Sequence, residues 1–200
     1  MLVDDLNLIV CGVGGQGVVL SSDILANAFL KSGYDVKATD IIGLGQRGGS
    51  VVTHVRAGEK VISPLIKKGE ADILLSFEKY EALRWSRYLK EEGLLIVNDK
   101  KVTPTSVTEK LQDDIDLDRL LGELDYERMI IDISSILRDD EISSKYTNTF
   151  MLGMLSMKTS IESRVWEESI GENVTVGFRE DNIKAFRVGR KLFQMKAEEN

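Results

Sequence analysis

The strongest constraint on this chain is a strand, a glycine cluster and a helix in immediate succession near its start. Leu8, Ile9, Val10 and Cys11 form a short apolar run that ends in glycines and reads as a buried strand. Gly12-Val13-Gly14-Gly15-Gln16-Gly17 follows. Val18, Leu25, Ala28 and Phe29 then recur at helical spacing until Gly33 stops the helix. A strand feeding a helix at once calls for a crossover to a parallel neighbour, so this unit points to an α/β fold.

The rest of the chain extends that pattern. Residues 36–39 resume as a strand, and residues 51–56 alternate in the strand manner. Gly58-Glu59 before Val61-Ile62 predicts a two-residue hairpin returning from that strand. Residues 72–76 and 94–97 read as further strands, with an amphipathic helix over 78–89 between them. Residues 129–133 are another strand candidate, helices are expected over 148–157 and 181–195, and 109–128 reads as an acidic surface segment around one short helix. The expected architecture is three-layer α/β/α, with a mostly parallel sheet and a β-hairpin after the second glycine loop. Only Pro64 and Pro104 interrupt as prolines and no linker divides the chain, so residues 1–200 are expected to form one domain.

Composition narrows the function. Lys plus Arg number 26 against 33 Asp plus Glu, net −7, and no basic block is present; such a chain is poorly suited to a nucleic-acid backbone. One cysteine, Cys11, is too few for a multi-thiolate zinc site or an iron–sulfur cluster built from this chain. No apolar run reaches a membrane span, and the start is no signal peptide, so a soluble cytoplasmic protein is expected.

Glycine is concentrated where function is expected: 10 of 17 lie between Gly12 and Gly58. The first loop satisfies Gly-x-Gly-x-x-Gly, and Asp40 follows at the end of the next strand, as in a dinucleotide site. The helix after it carries no acid until Asp23, leaving its positive end open to an anion. Against a regular dinucleotide fold, a second glycine loop and a hairpin follow where a crossover helix would stand. That second loop, Gly43-Leu44-Gly45-Gln46-Arg47-Gly48-Gly49-Ser50, lies in an acid-free stretch with Arg47, His54 and Arg56. An arginine between glycines can offer its fork to a phosphate or carboxylate.

Other conspicuous residues read as structural. His54, the only histidine, has no thiol or serine elbow beside it in sequence and reads as a hydrogen-bonded strand residue. Glu78 and Glu81 fit a solvated first helical turn, Asn148 an N-cap, and Cys11 a small core residue. Trp85 reads as core or subunit contact. Met151, Met154 and Met157 make a packing stripe at helical spacing.

Taken together, Gly12-Val13-Gly14-Gly15-Gln16-Gly17, Gly45-Gln46-Arg47-Gly48-Gly49-Ser50-Val51-Val52-Thr53-His54-Val55-Arg56 and Ser63-Pro64-Leu65-Ile66 resemble the small, gamma-type subunit of 2-oxoacid:ferredoxin oxidoreductases. Gly69-Glu70-Ala71-Asp72, Phe77-Glu78, Glu81-Ala82-Leu83-Arg84 and Gly93-Leu94-Leu95-Ile96-Val97-Asn98 resemble the indolepyruvate branch, whose corresponding chain is called the beta subunit. Asn148, Leu152-Gly153, Asn182 to Phe186 and Gly189 fit the same branch. The likeness covers nearly the whole chain and is weakest over 105–128.

The resemblance implies oxidative decarboxylation of a 2-oxoacid, an arylpyruvate in this branch, with coenzyme A as acyl acceptor and ferredoxin as electron acceptor. It places thiamine diphosphate, magnesium and the iron–sulfur clusters on a larger alpha subunit, with two copies of each subunit. This chain then binds no cofactor or metal alone and supplies no catalytic residue alone. It would complete the active-site wall and contact coenzyme A through Gly12, Gly14, Gly15, Gln16, Gly17, Gln46, Arg47, Gly48, Gly49 and Ser50. Alternatives at this level are a gamma subunit acting on pyruvate, 2-oxoglutarate or branched-chain 2-oxoacids, a stand-alone NAD(P)- or FAD-binding protein using Asp40, and a regulatory module sensing coenzyme A.

Overall fold

The computed structural model describes residues 5–43, 49–103, 108 and 113–198. Six strands form one sheet: β1 (Leu6–Val13), β2 (Asp35–Ile42), β3 (Ser50–Gly58), β4 (Ala71–Ser76), β5 (Leu89–Asn98) and β6 (Glu127–Ile131), in the order β2-β3-β1-β4-β5-β6. β3 runs antiparallel to both β1 and β2, while β1, β4, β5 and β6 pair in parallel. Five of the six strands therefore point one way, and the sheet is mostly parallel as its sequence predicts.

The hairpin is placed differently from the sequence reading. β2 and β3 are its two arms, from Asp35 opposite Gly58 to Ile42 opposite Val51. The hairpin thus spans the second glycine loop instead of following it, and residues 59–70 form no strand. The physical reason lies on β3. His54 Nδ1 accepts from the Ile66 amide at 3.1 Å, and Arg56 donates to the Ser63 carbonyl at 3.2 Å. Side chains of β3 hold the returning segment over one face of the sheet, so it cannot pair at the edge.

Central strands divide their side chains between two cores. Leu8 and Val10 of β1, Ile73 and Leu75 of β4, and Leu94 and Ile96 of β5 enter one; Ile9, Cys11, Leu74, Leu95 and Val97 enter the other. That period of two, with both faces buried, explains why the strands read as continuous apolar runs. The first core is covered by α1 (Val18–Lys31), α4 (Ile133–Asp139), α5 (Thr147–Ser156), α6 (Ser163–Asn173) and α7 (Arg179–Glu198). The second lies under α2 (Lys79–Trp85), α3 (Leu117–Gly122) and the buried Ile66. These are the three layers. α4 and α6 escape the sequence reading, since α4 is short and α6 buries few apolar side chains in a polar sequence.

On the first face α5 and α7 cross at touching backbones. A Cβ on Gly153 would lie 2.1 Å from the Phe186 carbonyl oxygen, and one on Gly189 would lie 2.0 Å from that of Phe150. Met151 and Met154 are fully buried beside this crossing, the packing role their spacing predicts. Among the described residues, no helix is long and apolar enough to cross a membrane.

Candidate functional site: a crevice at the carboxyl ends of the strands

β1 leads into α1 on one face of the sheet and β4 leads into α2 on the other. The point between two such strands is where open α/β sheets leave a crevice. The first glycine loop forms its wall. Gly15 at φ +94° and Gly17 at φ +80° occupy the left-handed region, which lets the chain turn between strand and helix. Gly17 is the N-cap of α1 without a side-chain hydrogen bond, and no acid stands in the first turn. The helix's positive end is left for another partner. Gln16 folds back, its Oε1 accepting from the Val13 amide at 2.9 Å.

The structure brings the two glycine motifs into contact. The Gly14 amide donates to the Gly49 carbonyl at 2.9 Å, directly beyond the Val13–Ser50 pair of the β1–β3 ladder. Ser50 donates its hydroxyl to Glu81, which also accepts from Trp85 Nε1 at 3.1 Å and Arg84 Nε at 3.0 Å. Gly12 is buried, and a Cβ there would meet Gln16 Oε1 at 2.6 Å and Phe77 Cβ at 3.0 Å. Of the residues expected to contact a ligand, Gly15, Gln16 and Gly17 line the crevice, while Gly12, Gly14, Gly49 and Ser50 build it. Gln46, Arg47 and Gly48 lie outside the described residues.

The crevice consists of two adjoining chambers that share Gly15, Gln16 and Lys145. The first, about 320 Å³, adds Asn98 at the end of β5, Lys100 just beyond it, and the hydroxyl residues Ser134, Ser143, Ser144 and Thr147. The second, about 330 Å³, adds Leu20, Tyr146, Asn148, Val174 and Phe178. No acidic side chain lines either chamber among the described residues, although the chain carries net −7. The Lys145 ammonium stands 4.3 Å from the Phe178 ring centre and 4.8 Å from that of Tyr146, an arrangement that favours the cation. Glycine amides, two ammonium groups and an open helix start suit an anion.

Several of these residues escaped the sequence reading. Lys100 lies just past a predicted strand, on the side where parallel sheets bind ligands, and that position was a usable signal. Lys145 and the serines before it come from a distant segment with no local signature.

Glu78, Glu81 and Asn148 correct the sequence reading, while His54, Trp85 and Cys11 keep the structural roles expected of them. Glu78 is 0% and Glu81 3% exposed, so neither belongs to a solvated turn. Glu78 caps α2, accepting from the Tyr80 and Glu81 amides, and it also receives the Val102 amide at 3.4 Å. Burial raises its pKa, against the lowering effect of those donors. Asn148 is no cap; Tyr146 holds that position and Asn148 lies within α5 facing Gly17. Trp85 packs with His54 and Tyr88, at 6.0 and 5.1 Å between ring centres. Burial lowers the His54 pKa and keeps its ring neutral. Cys11 is fully buried, and burial raises its thiol pKa.

Asp40 does not reach the glycine loop as a dinucleotide site requires. β3 stands between β1 and β2, so Asp40 is two strand spacings from β1, roughly 9–10 Å. It accepts the Thr53 hydroxyl instead.

Fold and site define an α/β protein with a crevice, free of acidic side chains among its described lining residues, at a topological switch point. The pyruvate ferredoxin/flavodoxin oxidoreductase family matches residues 7–192, and the chain belongs to it. An indolepyruvate oxidoreductase subunit of Archaeoglobus fulgidus is 38% identical over 92% of this chain and 93% of its own length. The gamma subunit of a keto/oxoacid ferredoxin oxidoreductase from Geobacter sulfurreducens shares the fold, with TM-score 0.72, 23% identity and coverage of 95% of this chain and 99% of that one. A 2-oxoglutarate:ferredoxin oxidoreductase of Magnetococcus marinus, solved with 2-oxoglutarate, coenzyme A and succinyl-CoA bound, matches with TM-score 0.72 at 20% identity. That match covers 96% of this chain and 32% of that one. The chain is an oxidoreductase subunit whose sequence is of the indolepyruvate type.

Proposed function

We propose that this chain, as one gamma-type domain over residues 1–200, is the small subunit of an arylpyruvate:ferredoxin oxidoreductase, paired with a large alpha subunit in two copies each. In the reaction, the aryl 2-oxoacid loses carbon dioxide and two electrons. Its acyl carbon joins the sulfur of coenzyme A, the thiol proton is released, and ferredoxin takes the electrons. Thiamine diphosphate, magnesium and the clusters belong to the large subunit in this reading; for the clusters the support is that the single Cys11 is buried and a cluster takes several thiolates.

The observation that carries the proposal is the crevice itself: glycine amides, Lys100 and Lys145 with no acid among the described lining residues. It suits the phosphates of coenzyme A. Gly15, Gln16 and Gly17 are its contacts from the first loop. Gly12, Gly14, Gly49 and Ser50 hold the wall; Gln46, Arg47 and Gly48, outside the described residues, are the further coenzyme A contacts in this reading. In this reading the protein works in the cytoplasm, a location consistent with the lack, among the described residues, of a helix able to cross a membrane.

The test is anaerobic recovery of the tagged chain with whatever accompanies it, followed by ferredoxin reduction with indolepyruvate and coenzyme A. Co-purification of a larger cluster-bearing chain, with activity dependent on both substrates, is the expected result. A chain that emerges alone and inert, or a complex that turns over without coenzyme A, overturns it.

A further inference from the structure

The first turn of α2 carries two buried acids, and the helix itself uses only one of them. Glu78 is the cap and takes the Tyr80 and Glu81 amides. Glu81 stands three residues further on, where a glutamate ordinarily turns back to the amide of the cap residue. Its side chain reaches away. Glu81 Oε2 accepts the Ser50 hydroxyl and Trp85 Nε1, the latter at 3.1 Å, and Oε1 pairs with Arg84 Nε at 3.0 Å. A carboxylate at 3% exposure is destabilising unless such partners offset its lost hydration. The helix would form without it, so the reason for the acid lies in what it holds.

What it holds is the exit of the second glycine loop. The Gly43 amide donates to the Ser50 carbonyl at 2.8 Å, one step beyond the Ile42–Val51 pair. On its other side Ser50 pairs with Val13, and the Gly49 carbonyl accepts from the Gly14 amide. Those are backbone bonds, which a ladder forms whatever its side chains, and they restrain Gly49 and Ser50 within the sheet. The Ser50 hydroxyl adds a restraint of another kind. Ser50 lies on the strand face of Val52 and His54, so its hydroxyl enters the layer that contains α2. Arg84 and Trp85 meanwhile fix the carboxylate, which presents Oε2 to Ser50 with no ligand required.

Resting on the proposed function, we infer that Glu81 is a positioning residue: through Ser50 it fixes where the second glycine loop leaves the sheet. It lines neither chamber of the crevice and touches no substrate. The wall is supported from behind, by a helix on the opposite face of the sheet from α1.

The experiment uses the two-subunit enzyme and two readouts. Hydrogen exchange at the Gly14 and Gly43 amides reports the tether without any substrate, and the separate KM values for coenzyme A and the oxoacid report its consequence. Glu81→Ala and Ser50→Ala each cut the bond; Glu81→Gln keeps an oxygen for the Ser50 hydroxyl and is the rescue. In both alanine variants the two amides are expected to exchange about tenfold faster, and KM for coenzyme A to rise about tenfold. The oxoacid KM stays at its wild-type value. The double alanine variant is no worse than either single one, because both remove the same contact. Glu81→Gln behaves as the wild type in both readouts. Ser50→Ala removes a single oxygen from a half-buried residue, so it answers the question even where Glu81→Ala does not fold.

Unchanged exchange at Gly14 and Gly43 in the alanine variants overturns the tether. Faster exchange with an unaltered KM for coenzyme A overturns the positioning role, as does additivity in the double variant or a Glu81→Gln enzyme as impaired as Glu81→Ala. Wild-type turnover without coenzyme A is a failure of the proposed function, and the exchange rates then judge the tether separately.

Discussion

The two faces of the sheet are closed by different means. On the first, α1, α5, α6 and α7 interlock through large apolar side chains. Trp166 is fully buried and meets Phe29 and Phe186 at 6.3 and 6.1 Å between ring centres. On the second, the covering elements are a six-residue helix, a seven-residue helix and an irregular segment. These short elements contribute few apolar side chains of their own to the second core: Ile66, Ala82 and Leu121 are the buried ones. Buried polar groups do the remainder: His54 to Ile66, Arg56 to Ser63, Glu78 to three amides, and Glu81 to Ser50, Trp85 and Arg84. Long helices permit an apolar seal; short elements need specific hydrogen bonds, and those bonds make the second face sensitive to protonation.

The contrast is broken most severely on the first face. Trp166→Ala should cost about 3–5 kcal/mol, the range for removing a large buried aromatic, read from urea unfolding of the purified chain or complex. Gly189→Ala is the smaller change with nearly the same outcome. The added methyl meets backbone on the facing helix, which has no flexible side chain to give way, so about 3 kcal/mol is expected. A Gly189→Ala protein as stable as the wild type would show that α5 and α7 can separate, and that the first face is looser than its contacts indicate.

The second face is sharpened by pH. Burial holds the His54 pKa below its ordinary value, so the unfolded chain binds the proton more readily. The stability from the neutral ring is present above about pH 6.5 and is lost as pH falls through the window below it. Glu78 has the opposite sign: burial raises its pKa, so the folded state gains as pH falls through the raised value towards the ordinary one. His54→Asn keeps an acceptor for the Ile66 amide and removes one titration. The variant should be about 1–2 kcal/mol less stable near pH 7.5 through lost ring packing, and the gap should narrow by pH 5.5. A gap that stays constant across that range means His54 does not titrate differently in the folded chain.

The smallest effect is expected at the surface. Arg164 and Glu168 form an exposed ion pair at 2.8 Å one helical turn apart, and such pairs add little. Arg164→Ala should leave the melting temperature unchanged within error. A clear drop would mean that the outer side of α6 contributes to the seal of the first face.

How far the sequence reached varies by region in a way physics explains. β1, α1, β4 and β5 were legible because local periodicity and burial agree there: apolar runs enter the middle of a sheet, and a glycine stop follows α1. The hairpin was misplaced because Gly58-Glu59 is a good turn signal locally, while the tether from His54 and Arg56 to the next segment is invisible to any local pattern. Glu78 and Glu81 were misread for a related reason. Acids in a first helical turn are usually solvated, but here a strand end and the segment around Val102 close over them. In the crevice, the glycine loop was legible and Lys145, Asn148 and Phe178 were not, since they arrive from segments more than a hundred residues away.

By itself the sequence determined the alternation of strand and helix, the glycine-rich turn before α1, and the single cysteine, too few thiolates for a cluster. All of these are properties of residues and their immediate neighbours. Tertiary structure alone decided that β3 would insert between β1 and β2, removing Asp40 from the glycine loop. It also decided that Lys100, Lys145 and Asn148 would converge on the first glycine loop. The reason is that a ligand-binding crevice is assembled from the ends of separate elements, and only sheet order and helix packing set which ends meet.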